Sequence, residues 1–152
     1  IGLVISCWLF IKKIVELSEV TSGNKGIFEG AKTNDYDEQI EIPKDVMIYE
    51  INGPLFFGTI RKFELAMERT KNNYKVLILR MRNTLYLDAG GIRALEQCKA
   101  ACDRKGITIV LSGIHTQPFM LCEKTGMTEK IGRENIFDNI NAALERAKEL
   151  VN

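Results

Sequence analysis

Val76–Met81 reads VLILRM, and Ile107–Leu111 reads ITIVL. Short, nearly continuous apolar runs of this kind are the pattern of strands covered on both faces. Between them, Asp88 is placed to cap a helix whose stripe is Ile92, Leu95, Cys98 and Cys102. Arg104-Lys105-Gly106 ends that helix, with basic residues in the last turn and glycine at the C-terminal position. Strands alternating with helices constrain the chain more than any other feature. They demand an α/β layered domain around a small sheet.

The neighbouring segments fit this plan. Val46–Ile51 is a β-type run, Asn52-Gly53-Pro54 makes a turn, and Leu55–Phe57 is expected to form a short second strand of a hairpin. The sheet is therefore mixed. A helix begins at Gly58 or Thr59, with Ile60, Phe63, Ala66, Met67 and Thr70 inward and Arg61, Lys62, Glu64 and Glu68 outward. Pro118 stands in the first turn of a short helix that turns Phe119 and Cys122 inward and ends at Gly126. Ile131 is assigned to a short final strand. Asp138 or Asn139 caps the last helix, whose apolar face is Ile140, Ala143, Leu144, Ala147 and Leu150.

Residues 46–152 supply this domain, and 152 residues leave no room for a second one of similar size. Residues 21–45 carry three glycines and scattered charges without a sustained period, as a flexible connector does. Residues 1–11 (IGLVISCWLFI) are uncharged and are followed by Lys12-Lys13. A spanning helix needs roughly 20 apolar residues, so this run cannot cross a bilayer alone. Its lysines come after the apolar stretch instead of before it, which excludes a signal peptide. The run reads either as the end of a membrane span leaving on the cytoplasmic side, with residues up to 20 as a juxtamembrane helix, or as an amphipathic or core helix of a soluble protein.

Candidate chemistry is sparse. Lys and Arg number 21 against 20 Asp and Glu, a formal charge of +1, which gives no footprint for nucleic acid. His115 is the single histidine, and no nucleophile or orienting group is patterned around it. Cys7, Cys98, Cys102 and Cys122 do not compose a zinc site, and isolated thiols suit a reducing compartment. Glu50, Asp88 and Glu96 are single carboxylates without a recognisable acid–base partner, and no phosphate-binding glycine motif is present. Neither catalysis, metal nor cofactor is expected. One local feature remains: Asp88-Ala89-Gly90-Gly91, where a loop feeds a helix and small residues leave the first-turn N–H groups open to a partner or an anion. Asp88 competes for those donors.

Taken in order, these residues resemble the STAS domain, named for sulphate transporters and anti-sigma factor antagonists. The likeness is greatest to the version at the cytoplasmic C-terminus of SulP-type sulphate permeases. Val46–Ile51 with Gly53-Pro54-Leu55-Phe56-Phe57-Gly58 looks like its opening, and Val76–Met81 with Leu87-Asp88-Ala89-Gly90-Gly91-Ile92 looks like its central strand and signature loop. Arg104-Lys105-Gly106-Ile107 and Leu111-Ser112-Gly113 resemble its next strand, and Glu134-Asn135-Ile136-Phe137 resembles the lead into its last helix. Upstream, Leu9-Phe10-Ile11-Lys12-Lys13 looks like the exit of the permease's last span.

The resemblance implies a STAS-like (SpoIIAA-like) fold, a small mixed sheet packed against about four helices. It also implies a non-catalytic regulatory or interaction domain of a secondary anion transporter, sulphate being the anion the family name gives. The expected location is the cytoplasmic side of the inner membrane, with the isolated domain soluble. Its partners would be the membrane body of its own permease, a cytosolic protein or a second copy, and a weakly bound nucleotide or anion. The rival reading is a free-standing antagonist that binds an anti-sigma factor. In that branch a serine directly after the aspartate is the phosphoacceptor; here that position is Ala89, followed by Gly90, so the switch is absent. Thr84 lies nearby but nothing marks it as a substitute. The residues carried over as a partner- or ligand-binding site are Asp88, Ala89, Gly90 and Gly91.

Overall fold

The computed structural model describes residues 20–21, 40–53 and 73–152, with single positions 55, 58, 61, 62, 64, 65 and 68. Three strands carry the centre: β2 (Val46–Asn52), β3 (Val76–Asn83) and β4 (Thr108–Ser112). They lie parallel, with Ile48 opposite Ile78 and Ile78 opposite Val110. A two-residue strand β5 (Ile136–Phe137) extends the sheet in parallel beside β4. At the other edge β1 (Val20–Thr21) pairs antiparallel with β2, Val20 opposite Ile51 and Thr21 opposite Glu50. The sheet order is β1-β2-β3-β4-β5, and the sheet is mixed as its sequence implied.

Its antiparallel member differs from the expected one. Leu55 lies in no strand, and Phe56 and Phe57 lie outside the described residues. Strand pairing at that edge comes instead from Val20, expected to end the juxtamembrane helix, and Thr21, expected to open the connector. The rest of residues 1–45, up to position 39, lies outside the described residues.

Because strand side chains alternate, each strand feeds two cores. Met47, Tyr49 and Ile51, Leu77, Leu79 and Met81, and Ile109 and Leu111 face one layer. There they meet Ile92, Leu95, Cys98 and Cys102 from helix α1 (Ala89–Arg104), Cys122 from α2 (Thr116–Thr125), and Met127 and Ile131 from α3 (Met127–Ile131). Val46, Ile48, Val76, Ile78 and Val110 face the opposite layer, under Ala143, Leu144 and Ala147 of α4 (Ile140–Val151). Two-sided burial is why these strands read as continuous apolar runs. Each fully buried aliphatic side chain contributes on the order of 2 kcal/mol.

Positions 58, 61, 62, 64, 65 and 68 are helical, with Arg61, Lys62 and Glu68 exposed as expected; the apolar positions assigned to that helix lie outside the described residues. One assignment is corrected. Ile131 ends α3 and packs in the core, and the last strand is β5, five residues later. Gly126 sets up the difference: at φ 75° it stops α2 in the left-handed region and lets the chain restart as α3 at once. A 3-10 turn (Arg133–Asn135) then delivers the chain to β5. Asn139, not Asp138, caps α4, its Oδ1 accepting from the Ala142 N–H at 2.9 Å.

Candidate docking site

Parallel strands put their C-terminal ends, and the loops leaving them, on one side of the sheet. The loop after β3 is fixed first by Thr84. Its N–H donates to the Met81 carbonyl at 3.0 Å, and its hydroxyl donates to the Gly53 carbonyl at 3.1 Å. Thr84 is fully buried. A hydroxyl engaged in this way offers no accessible phosphoacceptor.

The next three residues divide sharply. Leu85 is 69% and Tyr86 66% exposed, whereas Leu87 is buried in the α1-side core. Gln117, in the first turn of α2, clamps the Leu87 backbone from both directions. Its Oε1 accepts from the Leu87 N–H at 2.8 Å, and its Nε2 donates to the Leu87 carbonyl at 2.9 Å. A buried anchor thus holds two large apolar side chains in solvent. Two adjacent large apolar side chains left in solvent make this loop a candidate contact surface.

Asp88 then caps α1. Its Oδ1 accepts from the Gly91 N–H at 2.8 Å, as its position in the sequence implied. Ala89 and Gly90 are exposed, and Gly91 is buried. A Cβ on Gly91 would stand 2.4 Å from Leu87 Cδ1 and 3.0 Å from the Leu55 carbonyl oxygen, so glycine is needed there for the helix to approach the chain after β2. Gly90 is looser; a Cβ would meet only Asp88, at 3.2 Å from Oδ1. The four sequence-predicted residues therefore lie together, but in two roles: Asp88 and Gly91 build the helix start, while Ala89 and Gly90 form its open surface. The capping carboxylate also places negative charge where an anion would sit, so this helix start suits a partner's surface better than a phosphate.

The remaining candidates resolve into structural parts. Glu50, on β2, accepts from Arg82 Nε at 2.6 Å and from Asn83 Nδ2 at 3.2 Å, and Asn83 also donates to Asn52 Oδ1 at 2.6 Å. In register with Glu50 stand Arg80 and Ser112, all three buried, a polar row across the ends of the strands. Glu96 pairs with Lys130 on the surface. His115 precedes α2, and its Nε2 donates to the Arg82 carbonyl at 2.6 Å, which fixes the proton on that nitrogen. Cys98, Cys102 and Cys122 are buried free thiols. Hydrogen bonding to Cys102 and burial push the Cys98 thiol up, and burial pushes Cys122 up to about 11. Such thiols are core members, not nucleophiles. Among the described residues no three His, Cys, Asp or Glu side chains are grouped to hold a metal ion.

Sequence reasoning missed Leu85, Tyr86 and the Gln117 clamp. The available signal was an apolar pair set in a loop between polar Asn83-Thr84 and the capping Asp88.

Comparison with known proteins agrees with this geometry. The chain matches the STAS domain family over residues 38–143. It is 30% identical over 139 residues to YvdB of Bacillus subtilis, whose name assigns it provisionally to sulfate transport. That alignment takes in 91% of this chain and 24% of YvdB, so the chain spans about a quarter of that relative's length. Among solved structures, a sulfate transporter family protein from Wolinella succinogenes superposes with a TM-score of 0.71 at 37% identity, over 78% of this chain and 98% of that one. The STAS domain of a SulP transporter from Vibrio cholerae gives 0.67 at 26% identity, over 73% and 87%. With the family's sheet, helices and signature loop all in place, this chain belongs to the STAS domain family, in company with the STAS domains of sulfate and SulP-type transporters.

Proposed function

We propose that this chain is the non-catalytic regulatory domain of a SulP-like secondary anion transporter, sitting on the cytoplasmic side of the inner membrane. Its principal partner is the membrane body of the same transporter, and sulphate is the anion its relatives' names favour. In this reading residues 1–20 are the end of the last span and its continuation, residues 21–45 connect, and residues 46–152 are the STAS domain. The apolar run ending at Lys12-Lys13 supports that order.

The observation that carries the regulatory reading is the Leu85–Gly91 segment. Two large apolar side chains and a small-residue helix start are held open by a buried anchor, with no reactive group among them. Ala89 at the phosphoacceptor position, beside a buried and engaged Thr84, counts against a phosphorylation-switched antagonist. Uptake of sulphate and of other anions by the full-length transporter, with and without residues 46–152 and at equal expression, tests the proposal. Uptake should change on deletion, and identical uptake would refute a regulatory role.

A further inference from the structure

We infer that Asn52 is a site of spontaneous covalent modification: the adjoining main chain converts its side-chain amide to a carboxylate, and Asn83 promotes the step. The conversion needs only this chain and water, whatever the domain is attached to.

Asn52 ends β2 and is followed by Gly53; no other asparagine of the sequence precedes a glycine. Gly53 brings no side chain to shield its main-chain nitrogen, and it sits at φ 91°, a conformation that glycine adopts freely. Both residues are half-buried, so water reaches them. The strand holds this point weakly, because the register between β2 and β3 shifts between Glu50 and Asn52. Across the ladder, Asn83 Nδ2 donates to Asn52 Oδ1 at 2.6 Å and to Glu50 Oε1 at 3.2 Å. The Glu50 carboxylate only accepts, which keeps the Nδ2 side of Asn83 turned to this point.

The step balances without an oxidant or reductant. The Gly53 nitrogen gives its proton to water and attacks Asn52 Cγ, which turns tetrahedral and puts its negative charge on Oδ1. The Asn83 amide already donates to that oxygen, and a donor set where charge develops lowers the barrier. The Cγ–Nδ2 bond then breaks, the departing nitrogen takes a proton from water and leaves as ammonia, and a cyclic imide joins residues 52 and 53. Water opens the ring at either carbonyl. One product is aspartate; the other is isoaspartate, whose main chain runs through the former side chain and is longer by a methylene. That methylene enters just before Gly53, whose carbonyl accepts from the buried Thr84 hydroxyl at 3.1 Å. The conversion therefore loosens the anchor beneath Leu85 and Tyr86.

Peptide mapping by mass spectrometry tests this in the full-length protein, stored folded in mildly alkaline buffer. The fraction of position 52 carrying a carboxyl should rise with time, with isoaspartate among the products. Asn83 is exposed, so Asn83→Ala spares the core, and it should slow the rise about fivefold, the worth of one hydrogen bond. In urea, parent and variant should convert at the same rate, since the donor acts only in the folded chain. A folded parent that keeps its amide while the urea-unfolded chain loses it would overturn the inference. Equal or faster conversion in folded Asn83→Ala would do the same. Amide exchange at Thr84 and Leu87 should quicken in the isoaspartate form, and unchanged exchange would overturn the coupling to the loop.

Discussion

The two ends of the parallel sheet are closed by different means. At the starting end the closures are backbone to backbone: the Asp45 carbonyl accepts from Lys75 and Val76, the Lys75 carbonyl from Thr108, and the Cys102 carbonyl from Ile107. Its exposed charges are of both signs, Lys44, Lys75, Arg104 and Lys105 with Glu41 and Asp103. At the finishing end two backbone bonds, Thr84 to the Met81 carbonyl and Gly113 to the Phe137 carbonyl, are joined by a larger set of side-chain closures: Arg82 to Glu50, Asn83 to Asn52, Thr84 to the Gly53 carbonyl, Gln117 to both sides of Leu87, and His115 to the Arg82 carbonyl. Backbone closures tolerate almost any sequence; side-chain closures specify one. The difference shows where the chain spends specific chemistry to fix loop shape, which is what a recognition surface needs.

That contrast can be broken by substitution. The largest effect is expected at Leu87→Ala, which removes the anchor of the docking loop from the core and should cost about 3 kcal/mol in denaturant unfolding. Gly91→Ala comes next, at about 2 kcal/mol, because the new methyl group meets Leu87 and the Leu55 carbonyl; a Tm at or above that of the parent chain would show that the helix start is not tightly seated. Asp88→Ala should cost about 1 kcal/mol through the lost cap, with α1 amide exchange rising first at Gly91. The smallest change in stability, within about 0.5 kcal/mol, belongs to Tyr86→Ser and Leu85→Ser, whose side chains already stand in water. Those two should nevertheless have the largest effect on association. If instead they unfold the chain, they are structural and the separation of anchor from surface fails.

Much of this was legible in the sequence, for identifiable reasons. Val76–Met81 and Ile107–Leu111 are buried on both faces, so their pattern is unmistakable. Asp88 with small residues after it announces a capped helix because the capping bond is local. Glycine at 91 was visible, but its reason was not: the carbonyl of Leu55 lies far away in sequence and only the fold brings it there. The exposure of Leu85 and Tyr86 was hidden likewise, since their placement depends on Gln117, thirty residues beyond the Leu87 it holds. Ile131 was misread as strand because a short apolar stretch serves either state, and the left-handed Gly126 that restarts a helix leaves no periodic trace. The edge strand at Val20–Thr21 is two residues long, too short to carry a pattern.

The central claim is that regulation acts through the finishing end of the sheet. Anion uptake tests it most directly, in the full-length transporter carrying Leu85→Ser with Tyr86→Ser, compared at equal expression with Lys44→Ser and Lys105→Ser at the opposite end. The first pair should alter uptake as deletion of residues 46–152 does, and the second should leave it at the parent level. Parent-level uptake in the first pair, or a deletion-like change in the second alone, would contradict the account.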